Sequence, residues 1–309
     1  MNNKISNYML LGILGIISIV PFAIPYAYFP MSKFYSEALS LIAGVFMFIL
    51  AIFSRDKIKL PPISIACFGF AVFGLIQPFL VPTYLPGNNH YLALIFFIAG
   101  LTGVGINSMI DETLTMRKAL IFVSWAMLVS GTLQAIIAYL QYTGKAANYS
   151  DYILVTQDTG DGSNIFGNIG QPNQFTDFMS IAVVALLYLY IVGQINLIVT
   201  VAYGILFGLA ITFTARRGVL LYYVIMIFTA VWVFFRNRKN IELNKTYRTA
   251  LIVVVGFFVG LILLQAMWPK LVSIFVDSPA TTTTGLDRLS ASSMGQSTYR
   301  RFYEWYKAL

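Results

Sequence analysis

Residues 62–80 read PISIACFGFAVFGLIQPFL, nineteen consecutive positions without a charged side chain. Crossing ~30 Å of hydrocarbon as a helix takes about 20 apolar residues, so this stretch is long enough to span a bilayer. It is not a single buried core helix, because stretches of similar length and composition recur along the chain. Of the 309 residues, 58% are hydrophobic and 10% are charged, and mean hydropathy is +0.77. Soluble domains carry about a quarter charged residues. This chain lacks the charge to cover a water-facing surface. The expected fold class is all-α, a polytopic integral membrane protein of about nine transmembrane helices.

Outward from residues 62–80, spans are expected at Asn7–Tyr28, with Pro21 and Pro25 kinking its second half, and at Tyr35–Phe53. Lys4 followed by apolar residues resembles a signal peptide, but no small-residue cleavage site follows, so this reads as a retained first span. After the uncharged loop Pro82–Asn89 come spans at Tyr91–Ile106 and Ala119–Tyr142. Residues 143–174 break the pattern with a polar, glycine-rich loop. Four more spans follow: Phe175–Val192, one ending near Thr214, Val219–Phe235 and Thr249–Trp268. The organisation is thus an N-terminal bundle at 1–142, the loop at 143–174, a core at 175–268 and a polar tail at 269–309. No pair of matching broken segments suggests inverted repeats.

Formal net charge is +8. The basic residues sit in short runs between apolar segments, so topology explains them and nucleic acid is not an expected partner. With the N-terminus inside, the inner side holds Lys4, Arg55, Lys57, Lys59, Arg117, Lys118, Arg236, Arg238, Lys239, Lys245 and Arg248, eleven in all. The short outer loops hold four: Lys33, Lys145, Arg216 and Arg217. That asymmetry favours a cytoplasmic N-terminus and gathers the loop, the arginine pair and the tail on the outer face. One cysteine, Cys67, and one histidine, His90, exclude an internal disulfide and a His/Cys metal cluster. A lone interfacial histidine such as His90 is most often structural.

Three constellations on that face carry chemistry. In Gly167-Asn168-Ile169-Gly170-Gln171-Pro172-Asn173-Gln174, four carboxamides fall within seven residues. They donate and accept hydrogen bonds without charge, which suits sugar hydroxyls or an amide-rich substrate. The same residues also read as a glycine loop capping a helix, with Pro172 in its first turn and Asn173 near the cap, and on chemistry alone that reading leads. In Thr214-Ala215-Arg216-Arg217-Gly218, two guanidinium forks suit a phosphate or pyrophosphate. Snorkelling to lipid headgroups is the alternative, but the charge rule disfavours arginine on this side. In the tail, Phe302, Trp305 and Tyr306 share a face beside Arg300 and Arg301, as in an interfacial helix. Asp177 either faces a polar cavity or favours a helix N-terminus.

Together and in this order, these segments resemble the O-antigen ligase/polymerase superfamily. They are most similar to the protein O-oligosaccharyltransferases, the PglL-type pilin glycosylation ligases. The most specific likeness is Phe166-Gly167-Asn168-Ile169-Gly170-Gln171-Pro172-Asn173-Gln174. Arg216-Arg217-Gly218 is similar to the turn opening the ligase core, with Arg217 as counterpart of its functional arginine and Arg216 where the family often has serine. Asp287-Arg288-Leu289 and Arg301-x-x-x-Trp305-x-x-Ala308 resemble two elements of the large periplasmic loop. The family's histidine-bearing element is absent before Leu309, so a C-terminally truncated ligase lacking its general base is expected.

The resemblance implies transfer of an oligosaccharide from undecaprenyl pyrophosphate to Ser or Thr hydroxyls of pilin or other periplasmic proteins, at the periplasmic face of a bacterial inner membrane. It implies no cofactor and no metal. Arg217, Arg216, Arg288 and Arg301 would hold the pyrophosphate. Gln171, Asn168, Asn173, Gln174 and Trp305 would contact glycan or acceptor. Alternatives are an O-antigen ligase acting on lipid A-core, an O-antigen polymerase, or a membrane transporter. The last expects ionisable residues in mid-span, and apart from Asp177 and a few edge groups the spans have none.

Overall fold

The helices follow the apolar segments: α1 (Asn3–Ala23), α2 (Phe34–Ser54), α3 (Pro62–Leu80), α4 (Pro86–Met109), α5 (Met116–Tyr142), α6 (Pro172–Ile191), α7 (Leu197–Phe213), α8 (Gly218–Arg236) and α9 (Ile241–Phe275). The computed structural model describes residues 3–25, 34–80, 86–111, 114–155, 165–214, 216, 218–236 and 241–275. No strand forms among them. Eight of these helices are long and apolar enough to cross a membrane, while α7 is apolar but has 17 residues. The protein is an all-α, multi-pass membrane protein.

Three of the boundaries that differ from the sequence expectation do so for a backbone reason. The first helix stops at Ala23 instead of running kinked to Tyr28. Pro25 has no N–H to donate to Pro21 and disfavours helical geometry at Ile24. The Pro21 carbonyl is satisfied instead by the Ser36 hydroxyl at 2.6 Å. The fourth helix begins at Pro86, inside the expected loop, because proline fits the first helical position. The ninth has 35 residues and takes in part of the expected basic loop. Residues 241–250, IELNKTYRTA, contain enough helix formers to extend it.

The chain divides into two compact units: residues 1–24 with 28–126, and residues 25–27 with 127–309. In the first, α4 is approached closely by its neighbours. A Cβ on Gly105 would meet the Met47 backbone of α2 at 2.8 Å, and one on Gly100 would meet the Phe68 ring of α3 at 2.5 Å. Small residues permit such approach where lipid supplies no hydrophobic drive. One end of this unit is tied by Arg55. Its Nη2 pairs with Asp111 at 2.9 Å and donates to Asn7 Oδ1 at 2.7 Å and the Met109 carbonyl at 3.0 Å. Lys59 reaches the Ile110 carbonyl at 3.0 Å. The α2–α3 and α4–α5 linkers therefore lie at one end, as alternating spans require. The Tyr91 hydroxyl, beside His90, donates to Glu37.

In the second unit α6 is central. Of its span 61% is buried, against 17% for the span of α8, so α8 lies at the periphery. Phe175, Met179, Ala182, Val183, Leu186 and Leu189 are fully buried along it. A Cβ on Gly131 of α5 would meet Ala182 Cβ at 2.8 Å and the Phe207 ring of α7 at 3.1 Å. That contact packs α5, α6 and α7 around one point.

Candidate functional site

The loop at 165–171 is held from within the second unit by two buried glutamines of α5. Gln134 and Gln141 are seven residues apart, two helical turns, so they share a face. Gln141 Oε1 accepts from the N–H groups of Phe166 at 3.1 Å and Gly167 at 2.8 Å. Its Nε2 donates to the carbonyls of Leu154 and Gly167, each at 2.8 Å. Gln134 Oε1 accepts from the Asn168 N–H at 2.9 Å. The side-chain amides thus stand in for missing secondary structure and satisfy backbone groups that burial would leave costly. Gly167 has φ 58°, and a Cβ there would strike the Gln134 carboxamide oxygen and the Phe175 ring. Only glycine fits.

The loop's own amides divide into two groups. Asn168 is 6% exposed. Its Oδ1 accepts from the Leu154 N–H at 3.0 Å and its Nδ2 donates to the Tyr152 carbonyl at 2.9 Å. Asn168 therefore braces the loop with both ends of its carboxamide rather than presenting them outward. Gln171, Asn173 and Gln174 are exposed. Gln171, not Asn173, is the N-cap of α6, with Pro172 following at the first helical position, and its side chain makes no capping hydrogen bond. Asn196, at the start of α7, does cap and accepts from the Val199 N–H at 2.9 Å. At α6 the backbone bond from Phe175 N–H to the Gln171 carbonyl, 2.9 Å, starts the helix. The three outer carboxamides have no partner among the described residues.

The same end of the unit brings three further helices together. Tyr142, closing α5, stacks on Phe213, closing α7, with centroids 4.4 Å apart, and Trp268 of α9 packs against both at 5.7 and 5.3 Å. Aromatic residues of this kind collect where hydrocarbon meets water. Beyond Phe213, buried Thr214 donates its hydroxyl to the Ile211 carbonyl at 2.7 Å and accepts from the Arg216 N–H at 3.3 Å. Arg216 is half-buried in the resulting turn before α8. One turn into α8, Tyr222 donates its hydroxyl to Asp177 Oδ1 at 2.7 Å.

Of the site residues expected from sequence, Arg216, Asn168, Gln171, Asn173 and Gln174 are thus placed in the second unit. Arg217, Arg288, Arg301 and Trp305, with the Asp287-Arg288-Leu289 and Arg301-to-Ala308 segments, lie outside the described residues. Sequence reading missed the two α5 glutamines and Tyr222. The glutamines left a signal: two amides on one face of an otherwise apolar span need partners. Tyr222 left none, because a tyrosine near a helix start is common at membrane interfaces.

The model of a family described as protein glycosylation ligase matches residues 165–190. The match takes in the braced loop, the outer carboxamides and nearly all of α6. No curated protein and no solved structure matches the chain. Over the central helix of its second unit and the loop that enters it, the chain is similar to the protein glycosylation ligases.

Proposed function

We propose that this protein is a membrane glycosyltransferase that moves an oligosaccharide from undecaprenyl pyrophosphate to Ser or Thr hydroxyls of pilin or other periplasmic proteins. One observation carries the reading. Residues 165–174, within the ligase-like segment, spend their inner amide on bracing the loop and leave Gln171, Asn173 and Gln174 exposed at its surface, without a partner among the described residues. Uncharged donors and acceptors suit a glycan or a peptide acceptor.

The chemistry asks for little else from this part of the chain. As the bond from sugar C1 to phosphate oxygen breaks, negative charge grows on the pyrophosphate. Guanidinium groups fixed beside it stabilise that transition state more than the ground state. Arg216 and Arg217 are the proposed holders, joined by Arg288 and Arg301, with Trp305 against glycan or acceptor. The eleven-to-four charge asymmetry supports a cytoplasmic N-terminus and a periplasmic site.

The test is mass analysis of pilin from a ligase-deficient host expressing the full gene product or its Arg217→Ala variant. Glycan addition lost in the variant supports the arginine assignment, and undiminished addition refutes it. Glycan moved only onto lipid A-core refutes the protein acceptor.

A further inference from the structure

On α6, Asn173 and Gln174 lie four and three residues before Asp177 and share its face, and all three are exposed. Farther along the helix the exposed positions turn apolar, with Ile181 55% and Val184 48% exposed. The polar patch is therefore confined to the first two turns. Tyr222 fixes Asp177 from a second helix through the bond to Oδ1. The other carboxylate oxygen, Oδ2, has no partner among the described residues.

An exposed carboxylate in a membrane helix meets either lipid or something polar. Hydrocarbon is costly for it, so water or a polar ligand is the stable neighbour. A phosphate is not that ligand, because like charges repel. The chemistry fits an uncharged molecule rich in hydroxyl donors. A carboxylate accepts from hydroxyls strongly, and the two flanking carboxamides both donate and accept. Arg216 lies six residues before Tyr222 in the chain, at the same end of the unit, and offers the opposite charge.

We propose that Asp177, held by Tyr222 and flanked by Asn173 and Gln174, is a sugar-binding subsite that takes a neutral sugar next to the pyrophosphate and rejects an acidic one. The pyrophosphate then lies toward Arg216, and the charge difference between the two ends sets the direction in which the donor binds. This inference rests on the lipid-linked donor proposed above.

The experiment measures binding of three probes to the purified full-length protein in nanodiscs. They are bare undecaprenyl pyrophosphate, the same carrier bearing N-acetylglucosamine, and the carrier bearing glucuronic acid. The unsubstituted protein is expected to bind the neutral sugar-lipid more tightly than the bare carrier and the acidic one least. Asp177→Asn should weaken neutral-sugar binding about threefold to tenfold, strengthen acidic-sugar binding, and cause no loss of bare-carrier binding. Tyr222→Phe should weaken neutral-sugar binding without any gain for the acidic sugar, since the carboxylate remains. Thermal unfolding of both variants checks that they are folded. Equal changes for all three probes, or unaltered discrimination in Asp177→Asn, overturns the subsite alone. No binding of any probe by the unsubstituted protein overturns the lipid-linked donor, and the subsite with it.

Discussion

Gln141 grips Gly167 from both sides of its peptide backbone: Oε1 accepts from the Gly167 N–H and Nε2 donates to the Gly167 carbonyl, each at 2.8 Å. With Gln134, which accepts from the Asn168 N–H, this carboxamide on a membrane-spanning helix holds the loop that presents the outer amides. The loop's geometry is thus a property of α5 as much as of its own residues.

Replacing Gln141 by Leu should detach the loop while leaving the bundle intact. It orphans four backbone groups, each worth about 1–3 kcal/mol if they stay buried, so the loop should open to water instead. The expected outcome is faster hydrogen exchange across 165–171 and loss of glycan transfer, with membrane insertion unchanged. Unaltered exchange would show that the loop is held by something else.

Gly167→Ala tests the same geometry from the loop's side. Left-handed backbone costs a residue with a Cβ roughly 1–2 kcal/mol, and the new methyl would also collide with Gln134 and Phe175. A lowered melting temperature and reduced transfer are expected. Gly144 is a matched control. It too has positive φ, but its Cβ would meet nothing within 4 Å, so Gly144→Ala should cost less in both assays.

Arg55→Ala should act on stability rather than on the site. It removes the pair with Asp111 and the bonds to Asn7 and Met109. Breaking a fully buried pair costs about 3–5 kcal/mol; Asp111 is 27% exposed, so about 2 kcal/mol is expected. A thermal melt in detergent should show the loss, and Asp111→Asn should show a smaller one.

Orientation is open to direct labelling. In a Cys67→Ala background, cysteine at exposed Tyr152 should react with an impermeant maleimide applied from the periplasmic side of intact membranes. Cysteine at exposed Lys57 should react only after permeabilisation. The reverse pattern would turn the topology over and put the loop on the cytoplasmic face.

How much of this was legible in the sequence varies with position. Residues 62–80 are recovered to the residue as α3, because proline marks the start and the apolar run the length. Helix ends embedded in polar sequence were not, as α9 shows, since hydropathy reports the bilayer and not the helix. The amide loop was visible as a composition. Its division was not: Asn168 and Gln171 are three residues apart and chemically alike, and only the fold turns one inward and leaves the other outside. The bond between Asp177 and Tyr222 joins residues 45 apart, which no local pattern reveals.

The most direct test of the proposed transfer is the intact mass of pilin from a host that makes an undecaprenyl-linked glycan but lacks its own ligase, supplied with the full gene product. A mass increase of one whole glycan unit, reduced when Gln171 is replaced by Ala, is the expected result. An unmodified pilin, with the glycan found on lipid A-core or left on its carrier, would contradict it.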